Sequence, residues 1–142
     1  MAEPTATLEI PGEVGRLSSV RAFVRERLAA AGLHSTAIAD LVQAVDECVT
    51  NVIVHGYEGR DGLVEVELEA GKGEVVARIR DRARAFDPTS VPEPDPNRSL
   101  EDRLHGGMGV SLMRASVDGL QYRLLPDGRN EVTMIKRNDG AE

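Results

Sequence analysis

The sequence predicts an α+β fold in which helices pack on one face of a mixed, mostly antiparallel sheet. Two observations carry that expectation. Apolar residues recur at helical spacing over two consecutive N-terminal segments and then switch to alternation in two later pairs of runs. The resulting order is strand, helix, helix, strand, strand, long loop, helix, strand, strand. Helices and strands are thus grouped instead of alternating, which argues against a doubly wound parallel sheet.

Thr5 to Ile10 alternates weakly and reads as an edge strand ended by Pro11-Gly12. From Ser18, the apolar residues Val20, Phe23, Val24, Leu28 and Ala31 predict a first helix with Gly32 as its C-terminal cap. Ser35 is the expected N-cap of a second helix. Its stripe of Ile38, Leu41, Val42, Val45, Val49, Val52 and Ile53 runs to an end near His55-Gly56. LVEVELEA and EVVARIR, separated by Gly71-Lys72-Gly73, predict a β-hairpin with Val64, Val66, Leu68, Val75, Ala77 and Ile79 facing in. After Asp81 periodicity stops for about 25 residues, and four of the seven prolines fall between Pro88 and Pro96, so a functional lid or a linker is expected there. A short helix then opens at GGMGVSLMRASV, and GLQYRLL and EVTMIK form a last hairpin about Pro126-Asp127-Gly128.

A chain of 142 residues supplies one full core, so a single domain over 1–142 is expected. With two Tyr, two Phe and no Trp, that core must be aliphatic. The net charge of -7, with no Lys/Arg cluster, argues against direct nucleic-acid binding. No apolar run approaches a membrane span and the N-terminus lacks signal-peptide character. Cys48 has no internal partner for a disulfide, so a cytoplasmic location is expected.

Two constellations could carry chemistry. In DECVTNVIVHGY, Glu47, Asn51 and His55 fall at i, i+4 and i+8 along one side of the second helix. A carboxylate and an amide so placed can act as a general base and as an oxygen ligand for Mg²⁺, although this helix taken alone reads first as a solvated polar face. HGGMGVSLM places glycines directly ahead of a helix, where free N–H groups make a phosphate site. A hinge is the other reading, and no Walker A lysine follows. Met108, Leu112 and Met113 read as core packing, Cys48 as a small buried residue, and Arg98 and Arg103 as ordinary loop cations.

Taken in order, E-x-x-x-N on a helix, a strand ending in Asp81, a long lid and a glycine loop opening a helix resemble the layout of the GHKL ATPase superfamily and its Bergerat fold. More narrowly, ECVTNVIVHGY, AFDP and GGMGVSLMRASVD resemble the bacterial anti-sigma-factor serine/threonine kinases, over about Leu8 to Lys136. The resemblance implies that Glu47 is the general base toward the acceptor hydroxyl and that Asn51 holds Mg²⁺ against the nucleotide phosphates. It implies that Asp81 accepts the exocyclic amine of adenine, with Ala83 and Ala85 in the adenine loop. Residues 87–105 become the ATP lid, and Gly106, Gly107, Met108 and Gly109 the backbone that wraps the phosphates. It further implies ATP and Mg²⁺ as cofactors, with a sigma factor and a STAS-type anti-anti-sigma protein as partners. A homodimer is also implied, to which the Thr5–Ile10 edge could contribute.

One segment departs from the pattern. Where the family carries D-x-G-x-G-F, this chain reads Asp81-Arg82-Ala83-Arg84-Ala85-Phe86. If those positions need positive φ, each alanine costs on the order of 1 kcal/mol. If a methyl enters the adenine pocket, overpacking costs about 1–3 kcal/mol per site. The leading expectation is an ATP-dependent kinase that is also an anti-sigma factor; the alternative is a non-catalytic partner-switching module with a degenerate adenine pocket. A sensor histidine kinase is disfavoured, because the first helix is short and contains no histidine.

Overall fold

The computed structural model describes residues 5–71, 73–90 and 108–138, with side chains in the last span described from Val110 onward. Among these residues the chain forms β1 (Thr5–Pro11), α1 (Leu17–Ala30), α2 (Ser35–Asn51), β2 (Leu63–Ala70) and β3 (Glu74–Asp81). It continues with α3 (Met108–Ser116), β4 (Gly119–Leu124) and β5 (Asn130–Arg137). The five strands make one sheet in the order β1-β2-β3-β5-β4. Every pairing is antiparallel, so the expected mixture of strand directions is absent from the described sheet.

Alternation in β2 and β3 buries Val64, Val66, Leu68, Val75, Ala77 and Ile79 as the sequence predicts. Helix α1 adds Val20, Val24 and Leu28, and α2 adds Leu41, Val42, Ala44, Val45, Cys48 and Val49. These faces form one aliphatic core between the helices and the inner side of the sheet. Gly32, at φ 81°, ends α1. Its N–H bonds Ala29 and the Leu33 N–H bonds Leu28, a C-terminal motif that only a residue free to enter the left-handed region makes without strain.

Three local expectations are corrected. His34, not Ser35, is the N-cap of α2, and it makes no side-chain capping bond; instead its N–H donates to Asn138 Oδ1 at the end of β5. Ala31 lies exposed, beyond the end of α1. Leu112 also faces solvent, while Met113 on the same helix is buried.

The outer face of the sheet is closed by charge. Arg80 bonds Glu65 at 2.7 Å and Glu131 at 2.8 Å, Arg78 bonds Glu67 and Glu69, and Arg123 bonds Glu131 at 2.9 Å. Burial works to raise the Glu131 carboxyl, but the bonds from Arg123 and Arg80 outweigh it and hold the group below its ordinary range.

Candidate functional site

Period two in β3 turns Asp81, its last residue, to the inner face, where it is 4% exposed. Directly opposite on β5 stands Asn130, also buried. Asp81 Oδ1 accepts from Asn130 Nδ2 and from the Ala83 N–H, both at 2.9 Å. The Asn130 amide gives its second hydrogen to the Ala83 carbonyl at 3.0 Å, and its Oδ1 accepts the Tyr122 hydroxyl at 2.6 Å. Asp81 Oδ2 accepts nothing among the described residues. Burial pushes the Asp81 carboxyl up, and the bonds from Asn130 and Ala83 offset only part of that rise. One oxygen is thus saturated by the protein and the other is left as an acceptor at the strand end.

The loop after Asp81 answers the question its alanines raise. Among the described non-glycine residues only Glu58 has positive φ, so neither Ala83 nor Ala85 needs a left-handed backbone. The Ala83 methyl is seated against Gly56, and Ala85 is exposed together with Arg84 and Phe86. Tyr57 fastens the same corner. Its hydroxyl donates to the Leu63 carbonyl at 2.7 Å and accepts the Arg82 N–H at 2.9 Å, and its ring lies against Gly12 and Gly62.

Glu47 and Asn51 stand one turn apart on α2, half-buried, and neither side chain has a partner among the described residues. Burial raises the Glu47 carboxyl and the adjacent Asp46 charge adds to the rise. Between them lies Cys48, buried, its thiol pushed well up by burial and by the charge of Asp81, which places α2 against the end of β3. After Asn51 the helix widens into a π turn, Val52–Tyr57, closed by Glu58 in the left-handed region. Such turns advance less per residue and often mark functional segments. His55 falls on this turn and is exposed.

At the other border, Asp87 opens a single 3-10 turn, Pro88–Ser90, by accepting from the Thr89 N–H and hydroxyl. Arg114 of α3 donates to the carbonyls of Pro88 and Thr89 at 3.0 and 2.9 Å, tying α3 to the start of the expected lid. Residues 91–105 of that lid, with Gly106 and Gly107, lie outside the described residues. Met108 and Gly109 are the first two residues of α3.

Sequence reasoning brought Asp81, Glu47 and Asn51 forward and missed Gly56, Tyr57, Tyr122, Asn130 and Arg114. A signal for Asn130 was present, since it shares its strand phase with the apolar Val132 and Met134.

A helix carrying a carboxylate and an amide without partners among the described residues, set against a strand that ends in a buried acid, is the arrangement expected of a histidine kinase-like ATPase domain. The chain belongs to that family, whose model matches residues 10–136. It is 37% identical over 126 residues to an anti-sigma F factor of Clostridium botulinum, covering 84% of this chain and 87% of that one. It is 34% identical over 99 residues to the serine/threonine-protein kinase BtrW of Bordetella bronchiseptica, covering 69% of each. The crystal structure of the RsbU and RsbW domains of Rv1364c from Mycobacterium tuberculosis matches with a TM-score of 0.65 and 25% identity. That match covers 94% of this chain and 32% of the other, so the chain spans about a third of that longer protein. Among the described residues no helix is long and apolar enough to cross a membrane.

Proposed function

We propose that the chain is an anti-sigma regulator that binds ATP with Mg²⁺ and phosphorylates a serine or threonine of a STAS-type anti-anti-sigma antagonist. The observation that carries this reading is the Asp81 carboxylate, with Oδ1 saturated and Oδ2 open. The exocyclic amine of adenine is a donor, and a fixed acceptor at the end of a strand matches it. Support also comes from the loop, where the Ala83 methyl packs against Gly56 and neither alanine needs a left-handed backbone.

Glu47 is suited to receive the acceptor hydroxyl proton, because burial and Asp46 move its carboxyl toward neutral pH. In the step, the bond from the γ-phosphorus to the bridging oxygen breaks and one forms to the hydroxyl oxygen. The proton passes to Glu47 and ADP leaves. Among the described residues there is no group of three His, Cys, Asp or Glu that could hold a metal by itself. A single amide oxygen at Asn51 fits Mg²⁺, which takes most of its ligands from phosphate and water and supplies charge neutralisation when bound. The sigma factor is assigned as the second partner from the likeness to anti-sigma F factors.

Calorimetric titration with ATP, with and without Mg²⁺, tests the reading. Magnesium-dependent binding tighter than roughly 100 μM, about -5.5 kcal/mol, and lost in Asn51→Ala, is the expected result. Absence of heat in the unaltered protein would leave a binding module that regulates without nucleotide.

A further inference from the structure

We infer that Tyr122 and Asn130 are positioning residues that make Asp81 selective for an adenine-type base over a guanine-type base. The inference rests on the nucleotide reading and goes beyond it, since it concerns two residues that act only through the acid.

Among the described residues, no arginine or lysine pairs with Asp81. The titratable groups facing it are Cys48 from α2, Tyr57 from the π turn and Tyr122 from β4, and burial pushes all three up, so each is neutral near pH 7. The buried carboxylate therefore draws its local stabilisation from two neutral donors, the Ala83 N–H and the Asn130 amide. Of these, Asn130 is the only side chain.

The orientation of that amide is fixed by its neighbours. Two acceptors, Asp81 Oδ1 and the Ala83 carbonyl, lie on its nitrogen side, and one donor, the Tyr122 hydroxyl, lies on its oxygen side. A flipped amide would set carbonyl against carboxylate and nitrogen against a donor. With the amide held, both protein hydrogens fall on Oδ1, the terminal carboxyl torsion loses its two-fold freedom, and Oδ2 is left as an acceptor only. An acceptor accommodates the 6-amino group of adenine and repels the 6-oxo group of guanine. Without the amide, burial favours the protonated acid, whose O–H could donate to a 6-oxo group. Selectivity would then fall even where the fold holds.

The test is competition binding of ADP, GDP and inorganic pyrophosphate to the unaltered chain, Tyr122→Phe and Asn130→Ala, each with Mg²⁺ and with a melting curve. Asn130→Ala is expected to weaken ADP about tenfold, as for a lost hydrogen bond to a charged group. It should narrow the ADP-to-GDP ratio about fivefold, while pyrophosphate changes less than about twofold. Tyr122→Phe is expected to act in the same direction, about threefold, and it carries the test alone if Asn130→Ala does not fold. An unchanged ADP-to-GDP ratio in folded variants, or equal weakening of all three ligands, overturns the inference and assigns the pair a structural role. Failure of the unaltered chain to bind ADP overturns the nucleotide reading, and the inference with it.

Discussion

A Cβ placed on Gly56 would stand 2.8 Å from the Ala83 Cβ, so these two residues form a matched pair across the π turn and the end of β3. Real Cβ atoms do not approach so closely, and Gly56→Ala should therefore destabilise the fold by about 1–3 kcal/mol. Ala83→Gly removes one packed methyl and should cost less, about 1 kcal/mol. The double variant should recover most of the Gly56→Ala loss. Chemical denaturation of the three variants measures the coupling, and additive losses would show that the contact is relieved elsewhere.

Asp81 pits stability against its proposed task. Its carboxyl is raised by burial above the ordinary aspartate value of 3.8. A raised group contributes stability below that value and loses it as pH climbs through the folded value. Asp81→Asn keeps an acceptor for Ala83 and Asn130 without the buried charge. The variant should match the unaltered chain near pH 3.5 and melt higher at pH 7, by a few degrees for about 1 kcal/mol. It should lose ADP binding, because its amide would set a donor against the adenine amine. A lower melting temperature at pH 7 would mean that the carboxylate is better compensated than its surroundings indicate.

Glu131 follows the opposite sign. Bonds from Arg123 and Arg80 hold its carboxyl below the ordinary 4.5 despite burial. Its contribution is present above that value and fades as pH falls through the lowered one. Glu131→Ala should cost about 3 kcal/mol at pH 7, at the low end for breaking a buried pair, because Arg80 keeps Glu65. The gap between variant and unaltered chain should close as urea melts are repeated from pH 5 down to pH 3.

Glu47 has no side-chain partner among the described residues, so Glu47→Ala should leave the melting temperature unchanged and ADP affinity within about twofold. Under the proposed mechanism it should abolish phosphoryl transfer to an antagonist protein, read by phosphate-affinity electrophoresis. Undiminished transfer would remove Glu47 from the base role.

The elements were legible because burial has a period. The alternation of Val64, Val66 and Leu68 and the stripe from Leu41 to Val49 put β2 and α2 where the structure has them. Asp81 was legible as an acid where a strand stops. Ala83 could not be resolved from sequence, since its cost depends on φ and on what one methyl meets, and the residue it meets, Gly56, lies on a distant segment. Tyr122 and Asn130 were invisible as a site for a similar reason. Their bonds to each other and to Asp81 exist only once β3, β5 and β4 are side by side.

Hydrophobic alternation has a blind spot: a slip of two residues between β3 and β5 returns every apolar side chain to the core. Two adjacent polar pairs remove the ambiguity. Arg80 meets Glu131 on the outer face while Asp81 meets Asn130 on the inner one, and a slipped alignment would separate both and strand a buried carboxylate. The floor of the proposed base pocket is therefore also a registration mark for folding, and substitutions there should show up as misaligned or aggregating chains as well as in ligand binding.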